Sequence, residues 1–279
     1  MLSVGLALAA AAIYGLSDFL GGVISKRASV WAVATASQVG ALVVVAAATW
    51  FITAEPTAAD LGWGALAGVG TGVGTAFLYR GLADGRMGVV APISAVGAAL
   101  VPVVVGFVTG DRPPLLTWVG IACAIPAIWL VSSADPDSTE GSRRRSGLVD
   151  GILAGLAFGL MFAAVGQVPD TAGLVPLVLT EVVSVFAVAT LAAAMGHAFV
   201  PREPTAWWGL GVGALSAFAA VLFLFSTQAG MLTVAAVLSS LYPVFTILLA
   251  ATILRERIHG LQAVGLGLAG IAVVLVAIA

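Results

Sequence analysis

The chain has 279 residues, 61% hydrophobic and 9% charged, with a formal net charge of −2 and a mean hydropathy of +1.14. Soluble globular domains carry about 25% charged residues, so a water-soluble globule is excluded, and the near-zero charge balance gives no footing for nucleic acid. The solvent that suits such a chain is a lipid bilayer, which a helix crosses with roughly 20 mostly apolar residues.

Polar punctuation predicts ten apolar segments, at 2–24, 31–53, 61–82, 87–109, 115–132, 148–166, 171–195, 205–227, 231–253 and 260–279. The first, MLSVGLALAAAAIYGL, has no Lys or Arg before its apolar run, so it is read as a membrane helix rather than a cleaved signal peptide. Its later part sets Tyr14, Asp18, Gly21, Gly22 and Ser25 in one stripe. The third contains GVGTGVG (68–74), in which no register completes the phosphate-cradling GxGxxG, and whose spacing fits close helix packing through small residues. Tyr79 and Thr75 share a face of the same segment. Cys123, the single cysteine, lies inside the fifth and reads as a small filler; no intramolecular disulfide is possible.

Between the fifth and sixth segments, SSADPDSTEGSRRRSG (132–147) has the Ser, Asp and Arg content of a solvated linker. The seventh carries Glu181 in VLTEVVSVF, with Thr180 and Ser184 on the same face. The eighth ends in Phe223, Thr227 and Gln228. In the ninth, Ser239, Ser240 and Tyr242 precede Pro243, whose missing N–H and ring clash kink a helix. That kink is either a hinge or a fixed bend. His197 and His259 are isolated loop residues without metal-ligand spacing, and nothing points to a cofactor.

The two halves repeat. An offset of 145 carries Trp63-Gly64 onto Trp208-Gly209, Gly68 onto Gly213, Gly85 onto Gly230, Ser94 onto Ser239, and Asp111-Arg112 onto Glu256-Arg257. An offset of 144 carries Tyr14-Gly15 onto Phe158-Gly159. The expected fold is therefore an all-α polytopic membrane protein whose ten transmembrane helices form two five-helix repeats, 1–131 and 148–279, about the linker 132–147. Five is odd, so the second repeat enters the membrane from the opposite side, as in many secondary transporters. The charges agree. Lys26, Arg27, Arg86, Arg143, Arg144, Arg145, Arg202, Arg255 and Arg257 occupy alternate loops, Arg80 lies near that side, and the opposite loops hold only Arg112, balanced by Asp111. By the positive-inside rule the linker is cytoplasmic and both termini are outside.

A carboxylate at the centre of a membrane helix costs about 2.5–3.5 kcal/mol on insertion scales, so it faces a cavity or a partner. Glu181 and Asp18 are the foremost candidates for substrate binding or proton coupling, with Tyr14, Tyr79, Gln228, Ser240 and Tyr242 shaping the same cavity. The plainer alternatives are a hydrogen-bonded packing role for Glu181 and an interfacial position near Lys26 for Asp18.

Ten spans, two inverted five-helix halves, the aromatic-Gly step of each first helix, and SSLYPVFTILLAATILRERI ending in an acid resemble the EamA-domain branch of the drug/metabolite transporter superfamily. Two tandem copies cover essentially the whole chain. The first copy is looser: Ala98 stands opposite Pro243, Pro102 comes four residues later, and Asp111 replaces the usual Glu. The resemblance implies a cavity lined by both halves and export of small organic metabolites, amino-acid-like or drug-like, by alternating access with proton or gradient coupling. It also implies residence in a bacterial-type inner membrane. Where many members carry an Arg in the second helix of a repeat, this chain has Gln38 and Glu181. A channel and a non-transporting sensor or scaffold are the rival readings; no oligomeric state follows.

Overall fold

The computed structural model describes residues 1–83, 87–132, 141–253 and 260–278, and all regular structure among them is helical. The helices are α1 (Leu2–Ser25), α2 (Val30–Thr49), α3 (Ala58–Ala83), α4 (Met87–Thr109), α5 (Leu115–Ser132) and α6 (Gly141–Val165). They continue as α7 (Val175–Ala194), α8 (Gly209–Gln228), α9 (Leu232–Ser239), α10 (Tyr242–Ile253) and α11 (Gly260–Ile278). Six helical stretches are long and apolar enough to cross a membrane: α1, α2, α3, α7, Pro204–Gln228 and Leu232–Ile253. Shorter apolar stretches lie within α4, α5, α6 and α11.

Two boundaries differ from expectation. Helix α6 starts at Gly141, inside the stretch 132–147 expected to be a solvated linker. The ninth segment is two helices, broken at Ser240-Leu241. Pro243 cannot donate to the carbonyl four residues back, so the ladder stops there, and Val244 instead closes a tight turn onto Leu241 O at 2.9 Å. Its counterpart α4, with Ala98 at the equivalent position, runs unbroken.

Repeat symmetry is legible in the packing. Under the offset, α1 answers to α6, α2 to α7, α3 to α8, α4 to α9–α10 and α5 to α11. Helix α3 packs on α6 and α7, and α8 packs on α1 and α2; α4 packs on α6, and α9–α10 on α1. The remaining large contacts, α5 with α11 and α2 with α7, are each their own counterpart. The most extensive contacts thus survive exchange of the repeats, as a two-fold requires, whereas smaller ones such as α2 with α3 and α4 with α5 are not matched in the other half. The aromatic-Gly steps show it at atomic detail: Gly15 abuts Tyr242 and Thr246, while Gly159 abuts Gly97 and Val101, the equivalent pair.

The equivalents also run in opposite directions. Ser3, in the first turn of α1, meets Ser226 at the end of α8. Asp150, early in α6, pairs with Arg80 at the end of α3, on the side where α1 finishes.

Small residues make the close packing possible. In GVGTGVG, Gly68 and Gly72 lie against α7, whereas Gly70 and Gly74 lie against α6. Residues two apart on a helix point about 200° apart, so one alternating run smooths two faces. This is the small-residue packing expected. A Cβ on Gly213 would collide with the backbone of Ser37 on α2, the equivalent crossing.

Gly110, at φ 124°, turns the chain so that the Gly110 and Asp111 N–H groups both reach Gly106 O. The Asp111 carboxylate then accepts from Thr233 N–H (2.8 Å) and Thr233 Oγ1 (2.6 Å), capping α9. Arg112 turns instead to Phe107 O (2.8 Å) and lies 4.8 Å above the Phe107 ring. Helix N–H groups compete better for the acid than a solvated guanidinium. Arg86, Arg255, Glu256 and Arg257 fall outside the described residues.

Candidate functional site

A cavity of about 50 Å³ is lined by α1, α2, α3, α6, α7, α8 and α10, helices of both repeats. Its walls come in equivalent pairs. Tyr14 faces in from α1 and Phe158, 144 residues on, from α6. At the same offset Asp18 answers to Phe162; at 143, where Ser37 and Thr180 lie against the equivalent glycines Gly213 and Gly68, Gln38 answers to Glu181; at 145, Thr71 answers to Ser216 and Thr75 to Ala220. Each of two equivalent pairs therefore holds one carboxylate, and the two carboxylates come from different repeats.

The rings are held in fixed relation. Tyr14 meets Phe162 edge-on at 5.8 Å, and Phe162 rests on Phe223 at 4.5 Å, so Phe223 backs the wall from behind. Gly21 leaves the space that the Tyr79 phenol fills. Tyr242, just past the break, shares a 3.0 Å hydrogen bond with Ser94.

The polar groups are tied unequally. Gln38 Nε2 donates to Thr75 Oγ1 at 3.0 Å, and Ser17 and Ser216 share a 2.6 Å hydrogen bond. Thr180 Oγ1 donates to Gly64 O across to α3. Ser184 Oγ donates to Glu181 O at 2.8 Å and reaches Oε2 at 3.3 Å. Among the described residues, no hydrogen bond or ion pair reaches the Asp18 carboxylate and no Lys, Arg or His lines the cavity.

Five of the expected residues meet here: Glu181, Asp18, Tyr14, Tyr79 and Tyr242. Two do not. Gln228 is the last residue of α8, about 12 Å along the helix from Ala220, and lines a separate pocket with Gln167, Pro169 and Asp170. Ser240 sits in the break, fully buried, with its hydroxyl unpaired; two residues from Tyr242, it is carried away from the cavity by the turn. Sequence reading passed over Ser37, Thr71 and Ser216 as lining groups. Thr71 bonds its own helix at Ala67 O (2.9 Å), so it costs little in lipid and leaves no signature in composition. The only signal for Ser216 was its register with Thr71.

A protein solved by crystallography superposes on this chain with a TM-score of 0.65 at 15% identity, over 96% of this chain and 98% of that one. At that identity the likeness is one of fold. No curated protein matches the sequence. The profile of the EamA-like transporter family, however, matches twice, over residues 1–133 and again over 145–278. The chain belongs to the EamA-like transporter family. As an EamA-like transporter it is a membrane protein that moves small solutes, and its two profile matches correspond to α1–α5 and α6–α11.

Proposed function

We propose that this transporter exports small organic metabolites across a bacterial-type inner membrane by alternating access, with Glu181 exchanging a proton with the transported solute and Asp18 assisting. The observation that carries this reading is the pair of carboxylates in one cavity between the repeats. About 9–10 Å of helix separate each from its nearer helix end, deep enough that only a cavity makes ionisable groups tolerable. A cavity of about 50 Å³ accommodates a few waters, so a metabolite enters only when the helices part at one end.

Two ties are suited to alternate. Ser3 and Ser226 hold α1 to α8 at the end opposite the basic loops. Arg80 and Asp150 hold α3 to α6 at the basic end. The break before Pro243 is a candidate hinge, since α9 and α10 share no continuous ladder there. Lys26, Arg27, Arg80 and Arg202 at one end support a cytoplasmic linker at 132–147 between repeats 1–131 and 148–279, with both termini outside. Outward transport is the direction implied by the sequence resemblance.

The test is flux in proteoliposomes, using a solute selected by thermal-shift screening against amino acids, nucleosides and amines. Glu181→Gln should abolish flux driven by a proton gradient while leaving membrane insertion and monodispersity intact. Unchanged gradient-driven flux would remove Glu181 from the mechanism.

A further inference from the structure

We infer that the solute carried by this site is an organic cation, an amine or quaternary ammonium attached to a small aromatic or apolar body. The inference rests on the transport reading and narrows its substrate class.

Charge decides it. Among the described residues the cavity is lined by two carboxylates, Asp18 and Glu181, and by no cationic side chain. Glu181 has one weak side-chain partner, Ser184 at 3.3 Å, and Asp18 has none among the described residues. A buried charge is tolerated when it is paired or neutralised, and pairing from within the protein is absent here. An anionic solute would lie beside two acids with no guanidinium or ammonium to hold it. A zwitterion would satisfy one acid and set its own carboxylate against the other. A neutral solute would leave both acids to protons alone and could not take the place of the proton that Glu181 gives up. A cation supplies the missing countercharge.

The rings set the rest. Tyr14 and Phe162 form a corner on one side, with Phe158, Tyr79 and Tyr242 contributing further faces. Aromatic faces attract ammonium groups within about 6 Å of their centroids and more strongly in dry sites. The Tyr79 ring rests against Gly21, less than one turn along α1 from Asp18, so an acid and a ring lie close together in the cavity wall. An ammonium between them touches a carboxylate on one side and a ring on the other. The hydroxyls and amide of the walls are committed largely to one another, as in Gln38 with Thr75 and Ser17 with Ser216. They leave the carboxylates as the main free acceptors.

The experiment is binding by calorimetry to the purified full-length protein with three probes of one shape: phenethylamine, phenethyl alcohol and phenylacetate. The amine is expected to bind at least tenfold tighter than the alcohol, and phenylacetate not at all. Asp18→Asn and Glu181→Gln, near-isosteric amides, should each weaken the amine by about tenfold or more without strengthening the alcohol. Equal binding of amine and alcohol by the native protein, or binding of phenylacetate, overturns the inference without reliance on any variant. Full amine affinity in the double variant overturns it as well. The transport reading fails separately: amine binding that depends on the carboxylates, with no amine flux in proteoliposomes, leaves this inference standing and sinks export. Flux of an uncharged solute with no amine binding does the reverse.

Discussion

Replacing Asp150 by Asn should open the basic end of the molecule. The Arg80 guanidinium reaches both oxygens of Asp150, with Nε to Oδ2 at 3.3 Å and Nη2 to Oδ1, and this fork ties α3 to α6. The Asp150 side chain is 2% exposed and that of Arg80 is 27% exposed. Breaking a fully buried pair from one side costs about 3–5 kcal/mol, whereas exposed pairs are worth about 0–1 kcal/mol. A pair with one buried and one partly wet member lies between, at about 2 kcal/mol. If the tie is made when that end is closed and broken when it is open, that energy changes the ratio of the two states by roughly thirtyfold. The assay is thiol labelling at Thr71→Cys, a cavity position, in a Cys123→Ala background, with an impermeant reagent applied from each side of oriented vesicles. Labelling from the basic side should accelerate by up to about thirtyfold, and labelling from the other side should slow. The exchanged pair, Arg80→Asp with Asp150→Arg, should return both rates toward the original. Rates that stay unchanged in Asp150→Asn would refute a gating role for the tie and leave it as a packing contact.

Three further outcomes are expected. Gly213→Ala should destabilise by about 1–3 kcal/mol through overpacking, because its Cβ meets the Ser37 backbone, whereas Gly211→Ala meets nothing within 4 Å and should be neutral; thermal unfolding in detergent compares them. Asp111→Ala should cost about 1 kcal/mol by uncapping α9, and Arg112→Ala much less, in the same assay; equal losses would refute the capping role. Pro243→Ala allows the ladder across Ser240-Leu241 to close, so solute affinity should persist while turnover in proteoliposomes falls; unchanged turnover would make the break a fixed bend.

Much of the fold could be read from the chain because the repeats preserve contacts as well as letters. Gly68 and Gly213 match at the offset because both are crossing points, one with α7 and the other with α2. Tyr14-Gly15 and Phe158-Gly159 match because each glycine seats the same partner helix. The break at Ser240-Leu241 was only half legible: Pro243 marks a lost hydrogen bond, but where the helix restarts depends on the turn that Val244 closes. At the site, the carboxylates announced themselves by their cost in lipid. Asp18 lies nearer its helix end, and the crossing with α8 brings that depth to the cavity, as the hydrogen bond of its neighbour Ser17 to Ser216 records. Gln228 looked equally plausible because polarity in an apolar run does not encode depth. The hydroxyls of Ser37, Thr71 and Ser216 escaped notice because Ser and Thr are inexpensive in a membrane helix.

The grip of α6 and α7 on the alternating glycines of α3 changes what counts as a half of this molecule. Helix α3 packs more extensively on those two than on its own neighbours α2 and α4, and α8 likewise belongs with α1 and α2. The packing units are therefore not the two duplicated stretches of chain. Each stretch has traded one helix to the other: α1, α2 and α8 against α6, α7 and α3. The Ser3–Ser226 and Arg80–Asp150 ties each lie within one unit, so a gate opens by flexing a unit at one end. Asp18 rides on the first unit and Glu181 on the second, and the cation inferred for this site would clasp one unit to the other. A chain severed between its duplicated stretches would stay assembled, each piece still holding a helix the other needs.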